Sequence, residues 1–224
     1  MTSWAPSACS NGARIVHWLT PDVDFAGRMN TLTTPLAQPQ GLALFDTAIG
    51  ACGIAWGANG IVGTQLPEAS ESATWARLQR RFPGFAESVA PPEVRQVIEG
   101  LVALLRGEPS ALDGVRLDMT GVPEFHRRVY ELALTIRPGT TLTYGEVARQ
   151  LGDASLARAV GQALGRNPFA PLVPCHRVLA AGGKAGGFSA TGGLAMKLRL
   201  LTIEAAPLGA QSNGSPGLFD KPVA

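Results

Sequence analysis

Asn167-Pro168-Phe169-Ala170-Pro171-Leu172-Val173-Pro174-Cys175-His176-Arg177-Val178 is the stretch around which the rest of the chain is organised. An apolar run from Phe169 to Val173 leads into a proline, which has no backbone donor, and then into adjacent cysteine and histidine. This is how a chain would hold one sulfur at the floor of a partly buried, electropositive pocket. The thiolate is the reactive form, and an imidazole that takes its proton can lower a thiol pKa from about 8.5 to roughly 3.5–7.5. Cys175 is therefore a candidate nucleophile with His176 as its base. The competing reading is a small buried hydrophobe, since a lone Cys after an apolar run often only packs.

Downstream, Ala181 to Gly193 is glycine-rich and interrupted by Phe188 and Ser189. No P-loop Lys-Ser/Thr pair accompanies it, so it reads as a pocket-lining loop rather than a phosphate cradle. A last amphipathic helix is expected from Leu194 to Ala205, carrying Leu198, Leu201 and Glu204. Upstream, Thr143-Tyr144-Gly145-Glu146 has capping-box spacing, which predicts a short helix starting there and stopping at Gly152. Ser155 is expected to cap a second helix, Leu156 to Leu164, closed by Gly165. These two form either a helix-turn-helix or an ordinary helical hairpin. The second helix offers small residues, Ala157, Ala159, Gly161 and Ala163, with Arg158 the exception, so it could approach a groove closely without reading bases. Further upstream, Phe125, Val129, Leu132, Ala133 and Ile136 share one face of a helix expected over Pro123–Ile136.

The N-terminal half has a different texture. Short apolar or β-branched runs from Gly41 to Leu66, broken by glycines, predict strands, with Asn59-Gly60 as the best turn. Cys52 falls in such a strand and reads as packing. Helices are predicted over Ser72–Arg81 and Glu93–Arg106. The domain organisation expected is a loose extension (1–40), a small supporting α+β unit (41–115), a second domain (122–206) and a tail (207–224). Some 46% of the 224 residues are hydrophobic and 16% charged, which suits a chain able to bury a core. No apolar run reaches the roughly 18 residues of a membrane span, and no signal-peptide pattern opens the chain. An odd count of three cysteines, Cys9, Cys52 and Cys175, argues against a disulfide framework. A soluble, cytoplasmic protein is expected. The net charge of +2 is unevenly spread: residues 123–206 hold 10 Lys/Arg against 5 Asp/Glu. That excess fits either a nucleic-acid surface or an ordinary solvated one.

Pro-Cys-His-Arg-Val at 174–178, preceded by Asn167-Pro168 and an apolar run, resembles the active-site signature of the O6-alkylguanine-DNA alkyltransferases. The resemblance extends from about Val122 to Glu204. Gly-Ile-Ala-Trp and Gly-Ile-Val followed by Leu66-Pro67-Glu68 are similar to the family's less specific N-terminal domain. It implies an α+β fold: a small N-terminal α/β domain followed by a helical C-terminal domain with a winged helix-turn-helix-like DNA-binding unit. It also implies base flipping in double-stranded DNA carrying O6-alkylguanine, with O4-alkylthymine as a further substrate, and irreversible alkyl transfer to Cys175, without a cofactor, by a monomer. In that scheme Cys175, His176, a water and Glu204 form the activating chain. Asn167 orients the cysteine turn, and Tyr144 contacts the flipped base and can donate a proton. Arg158 enters the duplex where the base has left, and the DNA-facing set also includes Tyr144, Ser155, Ala157, Gly161 and Arg166. Pro174, Val178, Phe188 and Ser189 line the substrate pocket, with the carbonyls of Cys175 and Val178 on the guanine edge.

Two departures stand out. Human-type members run from the aromatic-serine pair directly into Gly-Gly-Leu, whereas this chain inserts Ala190-Thr191. Members with zinc in the N-terminal domain use two cysteines and two histidines; Cys9, Cys52 and His17 fall short of that set, so no metal is expected. The alternatives are a non-catalytic DNA-damage binder or helix-turn-helix regulator, which would lack the cysteine, and a Cys-His hydrolase, which would turn over.

Overall fold

The computed structural model describes residues 40–206; the expectations for the extension and the tail lie outside the described residues. Three antiparallel strands come first: β1 (Gly41–Thr47), β2 (Gly50–Gly57) and β3 (Gly60–Gln65), in the order β1-β2-β3. Both hairpins are tight, Thr47 pairing with Gly50 and Gly57 with Gly60. The second turn is thus carried by Ala58 and Asn59, one residue before the expected Asn59-Gly60 pair; Gly60, at φ 129°, opens the next strand instead.

Helix α1 (Glu71–Arg81) is capped by Ser70, whose hydroxyl accepts from the Ala73 amide, and α2 (Pro92–Leu104) begins with proline at its first turn, where no donor is missed. Helix α3 (Glu124–Leu134) turns Val129, Tyr130 and Ala133 inward. The tyrosine hydroxyl donates to the Ala163 carbonyl at 2.9 Å, tying α3 to α5 (Ala157–Gly165). One apolar core runs through Ile54, Trp56, Leu101, Val129, Val147, Val160, Phe169 and Val173, so the sheet side and the helical side share it.

Two features aim the fold at Cys175. Strand β3 grips the lead-in segment: the Thr64 amide and hydroxyl donate to the Pro168 and Ala170 carbonyls at 2.9 and 2.6 Å, and Arg81 donates to the Thr64 and Pro168 carbonyls at 2.6 and 3.1 Å. The approach is close enough that a Cβ at Gly63 would lie 2.3 Å from the Phe82 ring and 3.0 Å from the Pro168 oxygen. Second, β4 (Leu142–Thr143) pairs in parallel with β5 (Val178–Leu179), placing the start of α4 (Tyr144–Gln150) beside the end of the cysteine turn.

Helix α4 carries the complete expected capping box. The Glu146 amide reaches the Thr143 hydroxyl at 3.2 Å, and the Glu146 carboxylate accepts from the Thr143 amide at 2.6 Å. The expected cap at Ser155 is corrected. Asp153 is extended and accepts from the Ser155 amide at 2.8 Å, and Ser155 sits inside a 3-10 turn, Ala154–Leu156, before α5 begins. A carboxylate two residues upstream captured the free donor first. Helix α6 (Gly193–Ile203) closes the described chain. The architecture is α+β. No helix among the described residues is long and apolar enough to cross a membrane.

Candidate active site

The cysteine turn is built by its prolines and by Asn167. Pro174 sits at φ −81°, ψ 64°, and the Cys175 amide donates to the Val173 carbonyl at 2.8 Å. That is an inverse γ-turn, and proline pre-sets its φ. Cys175 to Arg177 then form a single 3-10 turn. Asn167 clamps this segment from behind: its amide donates to the Val173 carbonyl at 2.8 Å, and its oxygen accepts from the Phe169 amide at 2.9 Å.

The sulfur lies at the wall of a concave pocket of about 420 Å³, lined by Tyr144, Gly161, Leu164, Gly165, Cys175, Gly187, Phe188 and Ser189. Cys175 is only 6% exposed. Its thiol is pushed up from the ordinary value by burial, against the opposing pull of the Asn167 side chain and the Lys197 ammonium. This corrects the expectation of a depressed thiol: removal from water outweighs the groups that favour the anion. The resting group is a thiol, and its proton must leave during the reaction. Cys52, buried and pushed up to about 11, takes no part.

His176 and Glu204 form a buried, hydrogen-bonded pair. Nε2 of His176 lies 3.0 Å from Oε1 of Glu204. Burial raises the cost of charging Glu204, but hydrogen bonds from His176 and Arg177 and the Arg177 charge prevail, holding the carboxyl down at about 2. The carboxylate is therefore ionised and accepts, so Nε2 carries the hydrogen. Burial pushes the imidazole pKa down in spite of Glu204, which leaves His176 neutral with Nδ1 as a bare acceptor. Nδ1 has no partner within the protein and is buried. Such an atom calls for a water.

Arg177 and Lys197 are the functional side chains that sequence reasoning missed. Arg177 forks onto Glu204 through Nε and Nη2 at 2.8 and 2.7 Å, and its remaining nitrogen, Nη1, donates to the Ile136 carbonyl at the end of α3. Lys197 is wholly buried, donates to the Val178 carbonyl at 2.6 Å and stands 5.7 Å from the centre of the Tyr144 ring. The signal for it was in the sequence. On α6, Lys197 occupies the same stripe as Leu200, Leu201 and Glu204, where a hydrophobe is expected.

Burial lowers the Lys197 pKa to about 8, so its charge is costly below that pH, and the cost is relieved only as pH rises towards the ordinary lysine value. A Lys197→Met variant is therefore expected to be no less stable than the parent at neutral pH. It should nevertheless react more slowly at Cys175 with a small alkylating reagent, because the thiolate loses a nearby cation that favours it. Timed thiol labelling alongside thermal melts checks both halves.

The remaining sequence-derived residues divide clearly. Tyr144, Gly161, Phe188 and Ser189 meet Cys175 at the pocket. The Tyr144 ring is so close to Gly161 and Gly186 that Cβ atoms there would stand 3.8 and 3.5 Å from it. Pro174 and Val178 are buried beside the pocket: proline is committed to the γ-turn, and the Val178 side chain turns inward on β5. The Val178 carbonyl already accepts from Lys197, with one lone pair left for another donor. On α5 and the turn before it, Ser155, Arg158 and Arg166 are exposed while Ala157 is half-buried. Arg158 has no ion-pair partner among the described residues. No cluster of three or more His, Cys, Asp or Glu able to hold a metal occurs among the described residues; Cys9 and His17 lie outside them.

The profile described as "6-O-methylguanine DNA methyltransferase, DNA binding domain" matches residues 124–206. A methylated-DNA–protein-cysteine methyltransferase from Mycolicibacterium paratuberculosis is 48% identical over 107 residues, which is 48% of this chain and 62% of the relative's length. The protein of the same name from Methanothermobacter thermautotrophicus is 33% identical over 159 residues, 71% of this chain and 82% of the relative. Among solved structures, Mycobacterium tuberculosis OGT in complex with DNA superposes with a TM-score of 0.61 at 34% identity, over 75% of this chain and 95% of that one. With a relative matched over most of its length and the fold shared, the chain belongs to the methylated-DNA–protein-cysteine methyltransferase family.

Proposed function

We propose that this protein repairs DNA by moving the alkyl group from O6 of an alkylated guanine onto the sulfur of Cys175, once per molecule. The observation that carries this reading is a buried cysteine at the wall of a pocket beside α5, followed directly in the chain by a buried His176 that is hydrogen-bonded to Glu204. In the reaction a carbon–sulfur bond forms and the carbon–O6 bond breaks. The thiol proton passes through a water to Nδ1 of His176, and Glu204 stabilises the imidazolium. Tyr144, half-buried at the pocket, donates a proton to the departing purine, so that guanine leaves neutral, and the resulting phenolate regains its proton from the His176 imidazolium through solvent. Burial holds the Tyr144 hydroxyl protonated until then.

The substrate base must leave its stack to reach the sulfur, and a lesion that pairs poorly does so most cheaply. In this reading Arg158 fills the place of the extruded base. Ser155 and Arg166 meet the backbone, Ala157 and Gly161 let α5 come close, and Asn167 keeps the cysteine turn in position. Residues 122–206 act as the alkyltransferase unit and 41–115 as its support, in a monomer working in the cytoplasm on double-stranded DNA. O4-alkylthymine is the natural second substrate. A thioether is a poor leaving group and no group at the site would hydrolyse it, so turnover ends with the first transfer. Titrating a fixed amount of duplex bearing O6-methylguanine with protein tests this: one lesion should disappear per molecule added. Binding without any loss of lesion would indicate a damage binder instead, and repeated turnover a hydrolase.

A further inference from the structure

The two residues this chain inserts after Phe188-Ser189 have a role in the structure. Ala190 opens a turn in which its carbonyl accepts from the Gly193 amide at 2.9 Å, and Gly192, at φ 86°, ψ −8°, occupies the position of a type II turn that requires positive φ. Thr191 stands at the corner and donates its hydroxyl to the Glu68 carboxylate, 123 residues away. Ala190 packs against the cluster formed by Ile49, Cys52, Leu66, Leu105 and Leu200. Both inserted residues are thus docked onto the sheet side of the molecule.

The anchor is itself fixed. Glu68 accepts from Gln65 at 3.1 Å and pairs with Arg77 at 3.2 Å, and Gln65 in turn accepts from Arg81 at 2.9 Å. Arg81 is the side chain that also holds the Pro168 carbonyl at 3.1 Å, in the lead-in to Cys175. One polar network rooted on β3 and α1 therefore holds two sides of the same pocket: the segment that delivers the sulfur and the loop carrying Phe188 and Ser189.

We propose that Thr191 and Glu68 form a latch through which the N-terminal sheet unit sets the position of the Phe188–Ser189 wall, and so the size of the O6 substituent the pocket accepts. The inference rests on the alkyltransferase reading above. Thr191 and Glu68 are positioning residues, touching neither sulfur nor substrate. Releasing the latch lets the wall retreat, which favours bulky groups over methyl.

The test compares second-order rates of Cys175 alkylation by duplexes carrying O6-methylguanine or O6-benzylguanine. Thr191→Val keeps shape and removes the hydroxyl; it should raise the benzyl-to-methyl rate ratio about tenfold, the scale of one lost hydrogen bond to a charged group. Thr191→Ser should return the ratio to the parent value, and Glu68→Gln should shift it in the same direction without adding to Thr191→Val. An unchanged ratio in a Thr191→Val protein that melts like the parent would overturn the latch. A parent protein that takes up neither group would instead contradict the reading on which the latch depends.

Discussion

Cys175→Ala is expected to abolish alkyl transfer from DNA to protein while leaving DNA affinity and melting temperature close to those of the parent. Of the side chains lining the pocket, the sulfur is the strongest nucleophile toward carbon; Tyr144 and Ser189, the other lining hydroxyls, are weaker ones. Serine at 175 would not substitute. Its hydroxyl is a far weaker nucleophile than a thiolate, and His176 is too weak a base, with its pKa pushed down by burial, to ionise an alcohol. The stability expectation follows from size, since Cys→Ala removes one sulfur from a position that already faces a cavity. Gel-shift affinity and a lesion-clearance assay on the same preparation separate the two outcomes. Clearance that survives in Cys175→Ala would mean that the sulfur is not the acceptor.

Glu204→Ala is expected to have the largest effect on the fold. Its side chain is 4% exposed and receives three bonds, one from His176 and two from Arg177. Truncation would leave the buried Arg177 charge without a counter-ion, a loss of about 3–5 kcal/mol. The same carboxyl makes stability pH-dependent. Its pKa in the folded protein lies at about 2, below the ordinary glutamate value of about 4.3, so its contribution is complete above the ordinary value and disappears as pH falls towards 2. Two units correspond to roughly 3 kcal/mol. Urea melts of the parent from pH 6 down to pH 3 should therefore show a steeper loss than the same melts of Glu204→Gln. Glu204→Gln, which keeps the shape, should also slow Cys175 more than it unfolds the protein, because the imidazolium loses its counter-charge.

The parts of this arrangement that could be read in the sequence are local ones. The capping box at Thr143–Glu146 and the helical stripe of Pro123–Ile136 depend on spacings of three and four; each appeared where expected, to within a residue or two. What the sequence could not show depends on separations of tens to hundreds of residues. Arg177 meets Glu204 across 27 positions, Arg81 meets Pro168 across 87, and Thr191 meets Glu68 across 123. No periodicity encodes such pairs, because they exist only once the sheet has been laid against the helical side. The thiol shift failed for a related reason. Adjacency of Cys and His suggested a depressed pKa, but the sign depends on how much water the fold removes, and that is a property of Phe169, Val173 and Leu164 closing around the sulfur. Ser155 shows the smaller version of the same lesson: two good capping residues stood close together, and the backbone conformation at Asp153 decided between them.

These observations describe a stored thiol rather than a stored thiolate. A buried, protonated sulfur is protected from oxidation, which proceeds through the exposed anion, and on the proposed reaction that protection matters because one transfer consumes the sulfur. On the proposed reaction, Lys197 and the His176–Glu204 pair supply the charge and the proton path.

The central claim is that one alkyl group moves from O6 of guanine to the sulfur of residue 175. Incubating the protein with one equivalent of duplex containing a single O6-methylguanine, followed by proteolysis and peptide mass mapping, tests it directly. The account requires the peptide bearing Cys175 to gain the mass of one CH2 unit, methyl having replaced the thiol hydrogen, with Cys9 and Cys52 unmodified and the guanine restored. A restored guanine with an unmodified Cys175 peptide, or a methyl group found on another residue, would contradict it.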